Sequence, residues 1–223
     1  MGVIMKRKRI SLLSIILLTS TFFTIPKTFA DDKNNKKFES QEIICGENDH
    51  FGKGSKKFAL PERVLKRPPK LIELVTNCGV ITIKPEFANA PKAVTFFVSL
   101  VQQDYFDETT CHRLTTDVTS FIQCGDPTGT GMGDKVYTYQ KENLPRKSGR
   151  YREGSVAIQN RDGISSQFLL FYDDTTLAPN HAIWGRIIKG IDILEFIADG
   201  GVVGGGTDGT PTRNLIIKRA ILR

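Results

Sequence analysis

The chain has 223 residues, enough for one domain with extensions, and its 39% hydrophobic content with 14 Phe and 20 Gly fits a globular, turn-rich fold. The net charge of +7 does not argue for a nucleic-acid partner. Residues 1–30 hold five of the basic groups (Lys6, Arg7, Lys8, Arg9, Lys27) and no acid, leaving 26 basic against 24 acidic residues, a balance that gives no reason to expect phosphate binding.

Residues 1–30 read as an export signal. Lys6 to Arg9 form a positive start, Ile10 to Ile25 an apolar run of 16 residues, and Thr28-Phe29-Ala30 a small-residue end, so cleavage after Ala30 is expected. The competing reading is an uncleaved anchor, although the run is short of the ~20 residues of a full span and Pro26 interrupts its end. Either way the domain is expected to be secreted or at the cell surface, touching a membrane only through this segment. No cysteine directly follows the run at the place where a bacterial lipoprotein is expected to carry its lipid. Residues 31–69 read as a tether: Asp31 to Glu42 is polar and without period, and Gly46, Gly52, Gly54, Pro61, Pro68 and Pro69 punctuate the rest.

The domain is expected over 70–223. LIELVTNCGVITIKP, from Leu71, reads as a hairpin turning at Thr76-Asn77-Cys78-Gly79. Between Asn89 and Gln103, Val94, Phe97, Val98 and Val101 fall at helical spacing behind Pro91, predicting an amphipathic helix against the core. Two short runs follow, Cys111 to Leu114 and Phe121 to Cys124, split by a Thr/Asp/Ser-rich segment and ending in Gly125-Asp126-Pro127; they predict an antiparallel pair. Alternation puts Cys111 and Arg113 on one face, His112 and Leu114 on the other, and lets Phe121 and Gln123 share a face. One surface then carries a cation, an amide and an aromatic ring, which suits peptide binding better than hydrolysis, since no nucleophile–base pair is evident.

Beyond a polar segment, Gln140 to Glu153, strands are predicted over 154–160, 166–172 and 181–188, a short helix over 190–198, a glycine-rich loop over 200–212 and a closing strand over 214–222. Many short strands with two helices predict an antiparallel barrel or sandwich, between which periodicity does not choose. The four cysteines allow three pairings. Cys111 with Cys124 and Cys45 with Cys78 is the preferred set, with four buried free thiols the alternative. Cys45 with His50 lacks the ligands for zinc, and no metal is expected.

His112-Arg113-Leu114, FIQCGDPTGTG from Phe121, SSQFLLFYDD from Ser165 and NHAIWG from Asn180, in that order, resemble the landmarks of the cyclophilins, the cyclosporin-binding class of peptidyl-prolyl isomerases. The wording CHRLTT and QCGDPTGTG is most similar to that of secreted or membrane-anchored actinobacterial cyclophilins, and the likeness covers residues 70–223. It implies a mainly β fold, an eight-stranded antiparallel barrel capped by two helices, with the site on its outer face. It implies catalysis of X-Pro isomerisation on proline-containing polypeptides by a monomer without a cofactor. Arg113 aligns with the family's essential arginine. Gln123 and Asn160 align with residues that hold the substrate backbone, and Phe121, Leu169, Leu177 and His181 with the proline pocket. Gln159 precedes Asn160 where the family carries a small residue. Departures are Ser120 and Leu169 at positions of pocket phenylalanines, Thr176 in place of the tryptophan that meets cyclosporin, and about two extra residues between Arg113 and Gln123. Cyclosporin binding is therefore expected to be weak or absent. The same departures leave a second reading open, a proline-peptide binding module or chaperone with little turnover.

Overall fold

The structure, a computed structural model, describes residues 42–46, 54, 56–133, 135–137, 142–160 and 164–223, without the side chains of 135–137, Asn160 and Ile164. The export signal and the polar stretch up to residue 41 lie outside the described residues. In chain order the elements are β1 (Ile72–Thr76), β2 (Gly79–Pro85), α1 (Pro91–Val101), β3 (Thr109–Thr110), β4 (Arg113–Thr116), β5 (Ser120–Cys124), β6 (Lys135–Tyr137) and β7 (Arg150–Tyr151). They continue with β8 (Ser155–Asn160), β9 (Ile164–Phe171), β10 (Thr175–Thr176), β11 (Ala182–Lys189), α2 (Ile191–Asp199), β12 (Asp208–Gly209) and β13 (Ile216–Leu222). Among the described residues, one sheet of eleven strands runs β12-β4-β5-β9-β8-β11-β2-β1-β13-β3, with β6 on β9, and β7 pairs β10 separately. Three of the eleven, β3, β6 and β12, are only two or three residues long. Setting them aside leaves eight longer strands, all paired antiparallel.

Alternation sorts the side chains of this curled sheet into two apolar groups. Leu114, Ile122, Val156, Ile158, Phe168 and Leu170 join the main core. Their neighbours Phe121, Ala157, Leu169 and Phe171 lie on the opposite face, where they form a second cluster with Tyr151. The main core centres on stacked rings, Phe97 lying 4.0 Å from Trp184 and 4.7 Å from Phe106. Cys111 belongs to this core and is bonded to Cys124. That departs from the expected sharing of a face by Cys111 and Arg113: β4 begins at Arg113, so period two does not extend back to residue 111.

Helix α1 is buried on more than its predicted stripe, since Phe96 and Leu100 are covered as well as Val94, Phe97, Val98 and Val101. The cover is the segment before the hairpin. Phe58 packs edge-on against Phe96 and Tyr105 at 6.0 and 5.0 Å. The Leu65 N–H donates to Thr95 Oγ1 at 3.1 Å, and Gln103 exchanges two hydrogen bonds with the Ala59 backbone. Lys56 Nζ donates to the carbonyls of Asp104, Tyr105 and Asp107. A disulfide joins Cys45 to Cys78 in the β1–β2 turn. The described part of the expected tether is thus packed on the domain.

Candidate active site

The site is built on the β4–β5 hairpin, which pairs Arg113 with Gln123 and Thr115 with Phe121. Alternation therefore brings Arg113, Phe121 and Gln123 to the outer face. The guanidinium carbon lies 5.2 Å from the centre of the Phe121 ring, close enough for a cation–π contact. Nη1 of Arg113 donates to Gln123 Oε1 at 3.3 Å. Nε and Nη2 donate side by side to the two oxygens of Asp208, each at 2.6 Å. The Asp208 hydrogen bond holds the arginine above its ordinary pKa, and the arginine in turn pulls the Asp208 carboxyl below the usual carboxylate range.

Gln123 is itself fixed. Its amide nitrogen donates to Oε1 of Gln159 at 2.8 Å and to Oε1 of Gln167. Because Arg113 is only a donor, the Gln123 atom facing it has to be the oxygen, which sets the amide orientation chemically. Gln167 donates to the carbonyls of Gly131 and Gly133. That loop is organised by the buried Asp126 carboxylate, which accepts from the N–H groups of Thr128, Gly131 and Gly133 and from the Thr128 hydroxyl. Burial alone would raise the Asp126 pKa, but the hydrogen bonds from Thr128, Gly133 and Gly131 outweigh it and lower it. A Cβ on Gly133 would sit 2.0 Å from Asp126 Oδ1, and Gly125, at φ +91°, lies where a Cβ would meet Ser166 O at 2.4 Å. Both glycines are required by close approach. Next to Arg113, burial holds His112 below its ordinary pKa against the pull of Asp126.

The apolar side of the site is the second cluster. Phe121 and Leu169 are its nearly covered floor, with half-buried Leu177 and Ile183 packed against it. Tyr151 stacks on Phe171 at 4.7 Å and lies 6.0 Å from the His181 ring. Its hydroxyl donates to Ala178 O and accepts from the His181 N–H, so it fixes the loop that carries Leu177 and His181. Burial pushes the Tyr151 pKa up to about 12. Ser120 and Thr176 flank this cluster on β5 and β10, and the Ser120 N–H donates to Thr175 Oγ1.

The structure therefore brings together Arg113, Phe121, Gln123 and Gln159, and places Leu169, Leu177 and His181 on the adjoining apolar cluster. Asn160 ends β8 opposite Ile164, and its side chain lies outside the described residues. Three residues escape the sequence reading. Gln167 had a signal, since alternation groups it with Leu169. Tyr151 is hidden in a polar segment. Asp208 lies 95 residues beyond Arg113 in a glycine-rich loop with no periodicity.

The family model for cyclophilin type peptidyl-prolyl cis-trans isomerase/CLD matches residues 71–221. The chain is 38% identical over 165 residues to a probable peptidyl-prolyl cis-trans isomerase B of Mycobacterium tuberculosis, covering 68% of this chain and 54% of that one. It is 35% identical over 159 residues to the Mycobacterium leprae protein of the same name, covering 65% and 54%. The chain thus spans about half the length of these curated relatives. A cyclophilin-type isomerase of Cryptosporidium parvum, solved in the presence of the dipeptide Ala-Pro, shares the fold with a TM-score of 0.59 at 24% identity, covering 69% of this chain and 98% of that one. A match running from the start of the first hairpin to the last strand, on a sheet that solved cyclophilins share, makes this chain a member of the cyclophilin-type peptidyl-prolyl cis-trans isomerase family.

Proposed function

We propose that the chain catalyses cis–trans isomerisation of X-Pro bonds in exported proteins. The reaction rotates a partial double bond over a barrier of roughly 20 kcal/mol and needs no covalent step. At the top of the barrier the prolyl nitrogen has lost conjugation and carries a lone pair. A cation with directed N–H groups interacts with that lone pair and with the planar amide unequally, which is the condition for acceleration. An acceleration on the order of 10⁵-fold corresponds to about 7 kcal/mol, more than one hydrogen bond supplies. The floor of Phe121 and Leu169, which receives the proline ring and keeps water away, has to share the work.

The observation that carries this reading is the placement of Arg113 over Phe121 with three of its five N–H groups held by Asp208 and Gln123. One N–H on each terminal nitrogen has no partner among the described residues and is left for substrate. Gln123, with both amide N–H groups donated inside the protein, can offer substrate only an acceptor. The Ala-Pro dipeptide in the crystal of the Cryptosporidium relative supports proline-containing peptides as the substrate class. Two disulfides among the described residues suit an oxidising compartment outside the cytoplasm. The test is exchange spectroscopy on an Ala-Pro peptide: an enzyme accelerates exchange between the cis and trans signals.

A second reading is favoured by the near-complete burial of Phe121 and Leu169, at 3% and 2% exposure, which makes the niche shallow. On that reading the protein binds proline segments with little turnover, and the peptide signals shift without faster exchange.

A further inference from the structure

We propose that Asp208 is a positioning residue for the proposed isomerase reaction: its carboxylate grips one edge of the Arg113 guanidinium and aims the remaining N–H groups at the prolyl nitrogen. The inference rests on the isomerase reading of the site. Asp208 is not a floating surface carboxylate. It lies on β12, which pairs with β4 so that Asp208 faces Thr115 and Gly209 faces Leu114. The Thr116 N–H donates to Thr207 O at 2.9 Å, fixing the same junction from the other side. The loop around it is closed by the Val202–Pro211 bridge and by hydrogen bonds from Val203 to Thr210 and from Thr212 to Gly201. Backbone pairing to the strand that carries Arg113 therefore delivers the carboxylate to the guanidinium.

The contact is the two-pronged, side-on kind, occupying Nε and one N–H of Nη2. Gln123 takes one N–H of Nη1, so the group is held at both ends of its plane. Arg113 and Asp208 side chains are 38% and 52% exposed, and an ion pair so exposed contributes little to stability. Its value lies in orientation, because a half-exposed arginine has many rotamers and the two-pronged contact selects the one that sets the guanidinium 5.2 Å from the centre of the Phe121 ring. The carboxylate also offsets part of the positive charge, which acts in the opposite sense. Water and salt screen that effect, whereas no other described residue holds Nε, so orientation dominates.

The test uses the full chain, an Ala-Pro peptide, and the variants Asp208→Asn, Asp208→Ala, Arg113→Ala and Asp208→Ala with Arg113→Ala. Asp208→Asn and Asp208→Ala are expected to lower kcat/KM about tenfold, mostly through kcat, with the thermal midpoint little changed. In the Arg113→Ala background Asp208→Ala is expected to cost nothing further, which a merely structural role would not produce. In nitrogen-15 spectra the Arg113 Nε–H signal is expected to be sharp in the wild type and exchange-broadened in Asp208→Asn. A kcat/KM within twofold of wild type in both Asp208 variants, an equal loss with and without Arg113, or an unchanged Nε–H signal overturns the proposal. A wild type without turnover overturns the isomerase reading instead, and the Nε–H signal then decides the Asp208 contact alone.

Discussion

Replacing Cys111 and Cys124 together by alanine separates what holds the hairpin from what aims the arginine. The bridge joins residues 13 apart in sequence around the β4–β5 turn, and both cysteines are buried. Constraining a loop of that size in the unfolded chain is worth roughly 3 kcal/mol by loop-closure entropy. For a domain of this size the thermal midpoint should then fall by roughly 6–12 °C. Activity should respond far less. Arg113 stays in register with Gln123 through four ladder pairs, β5 stays clamped on its other edge by β9, and the guanidinium stays held by Asp208. The kcat/KM of the double variant, measured by peptide exchange well below its midpoint, should therefore remain within about threefold of wild type. Scanning calorimetry and exchange spectroscopy on one sample give both numbers. A loss of activity on the order of 100-fold in a folded sample would show that the disulfide, not the hydrogen-bond network, sets the geometry of the site; an unmoved midpoint would remove the entropic account.

Asp126→Asn replaces one acceptor oxygen by N–H groups facing the donors of Thr128, Gly131 and Gly133, and should cost about 1–3 kcal/mol at pH 7 by denaturant melts. Because the folded carboxyl has its pKa lowered, the wild-type contribution is present above the unfolded value, near 4, and is lost as pH falls through the folded one. The stability gap between wild type and Asp126→Asn should therefore narrow in acid, and a gap that widens refutes the cage. Removing residues 1–69, with Cys78→Ala to avoid a free thiol, uncovers Phe96 and should lower stability by at least about 2 kcal/mol, whereas equal melts would show that the packed segment contributes nothing. Cyclosporin should not bind in the nanomolar range by titration calorimetry, since Thr176 supplies neither the indole N–H nor the flat apolar contact of tryptophan.

Which parts of the molecule were legible follows from how far apart the cooperating residues lie. The first hairpin could be read from the two apolar-rich runs on either side of Thr76-Asn77-Cys78-Gly79, because strand pattern and turn chemistry are both local. The outer face of β4 and β5 could be read from period two once the strands were placed, and that assembled Arg113, Phe121 and Gln123. The same rule failed at Cys111, two residues before β4 starts. Covering of the second face of α1 by residues 56–65 was not legible, since a Gly- and Pro-punctuated segment carries no period to show that Phe58 and Leu65 pack. Asp208 was the least visible of all. Its meaning depends on a two-residue pairing between β12 and β4, and an isolated acidic residue among glycines reads as solvent-facing.

Stabilisation of the twisted amide by the Arg113 guanidinium, set over Phe121, is the step on which the proposed reaction depends. It is tested most directly by comparing wild type with Arg113→Ala for cis–trans exchange of an Ala-Pro peptide while monitoring the fold by its amide spectrum. Accelerated exchange is expected in the wild type, with a loss of kcat/KM on the order of 100-fold or more in a folded variant. An Arg113→Ala protein that keeps its fold and isomerises the peptide at the wild-type rate would contradict it.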